Sequence, residues 1–183
     1  MPSPSKEENI LRPILENSPL KEWHFEEIAR EAKVTKAVAN KWLKKYVSEG
    51  LLKRVKEKGK FPYYSVGPHN HQYYSLKRVY ALEQLHDSGL LAKLLSLQAA
   101  KTVILFGSIA KGDWYKDSDI DIFIFGKAQD FDKQKYELKL HKKIELHVFQ
   151  SKEEIEKVKT GLMKNIMNGY VVKGQIQDFA EVA

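Results

Sequence analysis

Two aspartates, Asp119 and Asp121, flank a single isoleucine at the end of the run Leu-Phe-Gly-Ser-Ile-Ala-Lys-Gly-Asp-Trp-Tyr-Lys-Asp-Ser-Asp-Ile-Asp-Ile, residues 105 to 122. On a strand, alternate side chains share a face, so Asp119 and Asp121 point one way while Ile120 and Ile122 point the other. Two converging carboxylates repel each other unless a hard cation sits between their oxygens. Mg²⁺ is typically held by one or two protein carboxylates together with the oxygens of a substrate phosphate. The pair therefore implies a cation, and the cation implies phosphate. Just upstream, Val103-Ile104-Leu105-Phe106 reads as a short buried strand. Gly107 then allows a sharp turn in which amide N–H groups and the Ser108 hydroxyl face an anion. Lys111-Gly112 adds a positive charge and a second flexible point.

A catalytic metal site needs a further carboxylate from a neighbouring strand. Ile144-Glu145-Leu146-His147-Val148-Phe149 alternates apolar and polar residues and supplies one in Glu145. Three carboxylates on two strands suit one or two Mg²⁺ ions. One ion would activate an attacking hydroxyl, and the other would neutralise a triphosphate and its leaving pyrophosphate.

Taken together, Phe106-Gly107-Ser108, the spaced Asp119-Ile120-Asp121-Ile122 and the later Ile144-Glu145-Leu146 resemble the signature of the DNA polymerase beta nucleotidyltransferase superfamily, and within it the minimal nucleotidyltransferases. The resemblance spans roughly residues 90 to 174, about half the chain. It implies that Gly107 and Ser108 contact the nucleotide phosphates, and Lys111, by its positive charge, would help hold the triphosphate. It also implies that Asp119 and Asp121 bind the metals and that Glu145 is the third carboxylate, which helps activate the acceptor hydroxyl. The substrate it implies is an NTP, with ATP the first expectation. Many members carry Asp where this chain has Glu145, and many carry Arg where it has Lys111.

A length of 183 residues and 43% apolar content fit two small domains with packed cores. The net charge of +7 and pI near 9.3 favour an acidic partner such as nucleic acid or a nucleotide. The excess sits at the front: residues 1 to 67 hold 14 Lys+Arg against 9 Asp+Glu, and residues 68 to 183 hold 17 against 15. The absence of cysteine excludes disulfides and thiolate metal sites and fits a cytoplasmic protein. No run approaches the ~20 apolar residues of a membrane span. The polar start Met-Pro-Ser-Pro-Ser lacks a signal-peptide core.

At the front, apolar spacing predicts helices over 6 to 17, about 24 to 32 and about 35 to 49. The third is capped by Thr35, has Val38, Trp42, Leu43, Tyr46 and Val47 as its buried stripe, and stops at Gly50. Two strands follow, Leu51 to Val55 and Phe61 to Val66, joined by the basic segment Lys56-Glu57-Lys58-Gly59-Lys60. Three helices and a basic hairpin look like a winged helix-turn-helix. In that family the third helix enters the major groove and the wing touches phosphate. The exposed face of the third helix would offer Lys36, Asn40, Lys41, Lys44 and Lys45, and the wing Lys58 and Lys60.

Gly67-Pro68 opens a helical linker to residue 89. Its leucines, with Leu90, Leu91, Leu94 and Leu95, read as core contacts or, alternatively, a homodimer surface. Ser151 and Glu154 have capping-box spacing and begin a helix with Ile155, Val158, Leu162 and Ile166 inward. Tyr170-Val171-Val172 reads as an edge strand, and Gln175 to Ala183 as a frayed tail.

The expected fold class is α+β: a winged helix-turn-helix domain over 1–67, a helical linker over 68–89, and a nucleotidyltransferase-fold domain over 90–183 with a small mixed sheet flanked by helices. The expected function is Mg²⁺-dependent transfer of a nucleoside monophosphate from an NTP to a hydroxyl acceptor, with the winged helix on double-stranded DNA. One alternative is a transcription regulator that uses the same fold as a nucleotide sensor or dimerisation body. A further alternative is an antitoxin that nucleotidylates a partner protein.

Overall fold

The Ser5 hydroxyl accepts from the Glu8 amide at 3.1 Å and the Ser5 amide donates to the Glu8 carboxylate, a reciprocal cap for α1, Lys6–Glu16. The computed structural model describes residues 5 to 180, and the polar start falls mostly outside them. The chain divides into two units, Met1–Ser75 and Leu76–Ala183.

In the first unit α1 is followed by β1 (Trp23–His24), α2 (Phe25–Glu31), α3 (Lys36–Ser48), β2 (Lys53–Val55) and β3 (Tyr63–Ser65). The strands form an antiparallel sheet in the order β1-β3-β2. Thr35 caps α3 as expected, accepting from the Val38 amide. The buried stripe of α3 differs from the expected one. Ala39, Leu43 and Tyr46 are buried, while Val38, Trp42 and Val47 are half-buried. The stripe is centred on the i, i+4, i+7 line through Ala39. Trp42 lies on its shoulder, where the Lys45 and Lys41 ammonium groups approach its ring at 4.6 and 5.5 Å. The two-residue strand β1 is too short to leave a period-2 signal.

The unit boundary falls inside α4, His71–Asp87, which occupies most of the expected linker. The second unit continues with α5 (Leu90–Leu95), β4 (Ala100–Phe106), α6 (Gly107–Lys111), β5 (Ile120–Gly126), α7 (Lys133–Leu140), β6 (Ile144–Phe149), α8 (Lys152–Glu156), α9 (Thr160–Met167) and β7 (Tyr170–Lys173). Its sheet runs β6-β5-β4-β7, with β5 and β6 parallel and both β4 pairings antiparallel. The central strands are buried on both faces, which is why they read as near-continuous apolar runs. One face packs Ile104, Phe106 and Phe123 against Ile155, Ile166 and Phe179.

Two expectations are corrected here. The single helix expected after Ser151 is two helices, α8 and α9, and the second opens on Thr160-Gly161, residues of low helix propensity. The expected frayed tail is instead docked through residue 180. A 3₁₀ turn spans Ile176–Asp178, the Thr102 hydroxyl donates to the Asp178 carboxylate at 2.7 Å, and Phe179 lies 4.6 Å, centroid to centroid, from Phe123. One aromatic entering the core outweighs the polar composition of the tail around it. Among the described residues, no helix is long and apolar enough to cross a membrane.

Candidate metal and nucleotide site

Strand register assembles the site. In the parallel β5–β6 pair Asp121 stands opposite Glu145 and Phe123 opposite His147, and in the antiparallel β4–β5 pair Phe106 stands opposite Asp121. Residues in register share a face, and alternation along β6 adds His147 to the face of Glu145. Asp121, Glu145 and His147 each offer one ligand atom, and those atoms all lie within 4.8 Å of one another. The His147 ring packs edge-on against Phe106, with centroids 5.2 Å apart, so the apolar core forms the floor of the cluster.

Gly107 lies against the carboxylate of Asp121. Its φ is +71°, and a Cβ added there would come within 2.9 Å of the Asp121 Cγ and closer still to one carboxylate oxygen. Only glycine both takes this conformation cheaply and leaves room for the carboxylate. Ser108 is half-buried at the start of α6, and Lys111 ends that helix. The Lys111 ammonium donates to the Asn165 amide oxygen at 3.1 Å, and Arg78 donates to the Lys111 carbonyl.

The carboxyl of Asp121 is held above the usual aspartate range. Burial is the largest cause, then repulsion from Glu145 and Asp119, while His147 and Lys111 act in the opposite direction. A divalent cation would relieve that repulsion, and the oxygen donors of Asp121 and Glu145 suit a hard cation such as Mg²⁺. The donor set and the glycine cradle thus fit a metal.

Of the three carboxylates expected, the structure gathers two. Asp119 stays outside the group of mutually close ligand atoms, although near enough to act on Asp121. The physical reason is local: β5 begins at Ile120, so strand alternation stops one residue short of Asp119. Asp119 belongs instead to the segment after α6, which buried and half-buried lysines tie down. Lys142 Nζ donates to the carbonyls of Tyr115 and Lys116 at 2.9 and 2.6 Å, and the buried Lys77 ammonium donates to that of Trp114. Burial brings the Lys77 pKa down to about 8. The sequence reading did not select His147, whose signal was its spacing two residues beyond Glu145 on an alternating strand.

In the first unit, Lys36, Asn40, Lys41, Lys44, Lys45, Lys58 and Lys60 are all exposed. Three of the lysines are already paired: Lys36 with Glu26 at 2.7 Å, Lys45 with Glu7 at 3.2 Å and Lys60 with Glu57 at 2.6 Å. These are surface pairs of small net worth, which a stronger anion can displace.

A mixed four-stranded sheet flanked by helices, with carboxylates on adjacent strands beside a glycine-serine turn, makes the second unit an α+β domain consistent with a nucleotidyltransferase fold. Residues 88–173 match the family model described as "Nucleotidyltransferase domain", which supports a transferase activity at the level of that family. Among curated proteins nothing matches the chain. A solved structure titled as the toxin-antitoxin MntA-HpeT, in a mutant form, aligns at 19% identity with a TM-score of 0.34, over 55% of this chain and 76% of that one.

Proposed function

We propose that the second unit transfers a nucleoside monophosphate from an NTP, ATP first among them, to a hydroxyl acceptor. The meeting of the Asp121 and Glu145 carboxylates beside Gly107 carries this reading. Asp121 and Glu145 would hold one or two Mg²⁺ ions, with Asp119 as a further carboxylate ligand. The bound metal supplies positive charge to the triphosphate and lowers the pKa of the attacking hydroxyl. Gly107, Ser108 and Lys111 would hold the phosphates, the first two by backbone approach and hydroxyl donation, the third by charge. In the reaction the acceptor oxygen bonds to the α-phosphorus, the bond from that phosphorus to the β-bridging oxygen breaks, and pyrophosphate leaves. The hydroxyl proton passes to the Glu145 carboxylate, which is 55% exposed and so open to an incoming acceptor. Positioning and electrostatics supply most of the rate, with no side-chain nucleophile.

Water is an acceptor that is always present, so slow release of AMP and pyrophosphate from ATP is the assay. Glu145→Gln is expected to abolish this release while keeping ATP binding. Release at the wild-type rate from that variant would remove Glu145 from the reaction. Binding without release by the wild type would favour the nucleotide-sensor alternative.

For the first unit we propose a winged helix-turn-helix that contacts double-stranded DNA. Three helices and a three-stranded antiparallel sheet, made by a short strand between the first two helices and a hairpin after the third, with a basic β2–β3 connection, favour it. Asn40, Lys41 and Lys44 on α3 would face the groove, and Lys58 and Lys60 would touch backbone phosphate, with Lys36 and Lys45 released from their glutamates. A Lys41→Glu/Lys44→Glu variant of the full chain is expected to bind duplex DNA more weakly, with a salt dependence flattened by about two phosphate contacts. An unchanged salt slope in a gel-shift titration would contradict the assignment of α3 to the groove.

A further inference from the structure

His147 is the residue of the cluster that the proposed transfer does not use. It is half-buried, on the same strand face as Glu145, and its Nε2 lies 3.9 Å from the Glu145 Oε2. That separation is too long for a hydrogen bond. Among the described residues no hydrogen bond reaches the imidazole from any other group. Its ring is nonetheless set in place by the edge-on contact with Phe106, so its nitrogen is held toward the two carboxylates without bonding to either. Donor atoms gathered within 4.8 Å, none hydrogen-bonded to another, are close enough for small side-chain adjustments to bring all three onto one ion.

The chemistry of the set then matters. Mg²⁺ takes oxygen donors and keeps its water reluctantly, so an imidazole adds little to its binding. Later first-row divalent ions such as Fe²⁺, Ni²⁺ and Zn²⁺ take imidazole nitrogen readily beside carboxylate oxygen, and Mn²⁺, although it favours oxygen donors, accepts imidazole more readily than Mg²⁺ does. We propose, resting on the metal site argued above, that His147 Nε2 is a direct metal ligand and that the Asp121/Glu145/His147 set prefers Mn²⁺ or a later transition divalent cation over Mg²⁺. The Phe106 ring is the positioning partner: it fixes the orientation of the imidazole, much as outer groups orient ligands in other metal sites.

The test uses the full chain with metal alone and no nucleotide. Mn²⁺ and Mg²⁺ affinities are measured by calorimetric titration, and the Mn²⁺ complex is examined by pulsed electron paramagnetic resonance for coupling to ¹⁴N. The wild type is expected to bind Mn²⁺ more tightly than Mg²⁺ and to show directly bound nitrogen. His147→Ala and His147→Gln are both expected to lose the nitrogen coupling and at least about tenfold in Mn²⁺ affinity, with a much smaller change for Mg²⁺. The glutamine variant keeps side-chain bulk beside Phe106, so agreement between the two separates ligation from misfolding. A wild-type Mn²⁺ complex without nitrogen coupling, or equal loss of both metals in the variants, would overturn the role of His147 and leave the carboxylate site standing. Failure of the wild type to bind either ion would overturn both readings together.

Discussion

Asp121→Asn is expected to abolish nucleotide cleavage and, in metal-free buffer, to raise the melting temperature. The first effect follows from removing the carboxylate at the centre of the cluster, where metal charge is worth several kcal/mol, or about 10³-fold or more in rate. The second follows from the raised pKa of Asp121, caused first by burial and then by Glu145 and Asp119. A carboxyl whose pKa is higher in the folded chain than in the unfolded one binds more protons when folded, in the window between the ordinary aspartate value and the raised one. Stability therefore falls as pH rises through that window, and the deficit persists above it. Asparagine carries no charge, so the advantage of the variant should be present at neutral pH and disappear below the ordinary carboxylate range. Thermal melts of wild type and variant with chelator, at both pH values, check it. A variant less stable than the wild type at neutral pH would show that the carboxylate is satisfied by partners other than a cation.

Gly107→Ala should injure both fold and site. The left-handed φ of +71° costs an L-residue about 1–2 kcal/mol. The new methyl would also occupy the space of the Asp121 carboxylate. Neither the Asp121 main chain nor Gly107 can yield easily, because Phe106 and Asp121 are paired in the sheet. The carboxylate must swing away from Glu145, and divalent-metal affinity should fall by about 10- to 100-fold. Denaturant unfolding and metal titration measure the two effects separately. Loss of stability with unchanged metal affinity would mean that the carboxylate finds the metal from another rotamer. In contrast, Ser108→Ala should leave metal binding intact and weaken only nucleotide.

The parts of this protein that were legible in the sequence are those where one local rule dominates. The apolar strands β4 and β5, the capped helix α3, the sharp turn at Gly107 and the alternation of β6 all carry their signal within a few neighbouring residues. What was lost depends on register or on distant packing. Asp119 and Asp121 look equivalent as an alternating pair, yet the strand starts between them. His147 joins the site only because β6 pairs in parallel with β5, and no single strand reveals its partner. Phe179 sits in a polar tail whose composition suggests fraying, and its place beside Phe123 is set by residues more than fifty positions away. The lysines of α3 read as one basic face, but Glu7 and Glu26 come from other helices to neutralise two of them.

Asp121 and its neighbours are proposed to form a divalent-metal site for a nucleoside triphosphate. The most direct test is calorimetric titration of ATP and the other NTPs, with Mg²⁺ or Mn²⁺, into the wild type and an Asp119→Asn/Asp121→Asn variant, since binding requires no knowledge of the acceptor. Metal-dependent binding to the wild type is expected, with its loss in a variant that remains folded by circular dichroism. Binding that survives both substitutions, or a folded wild type that takes up no nucleotide with either metal, would contradict it.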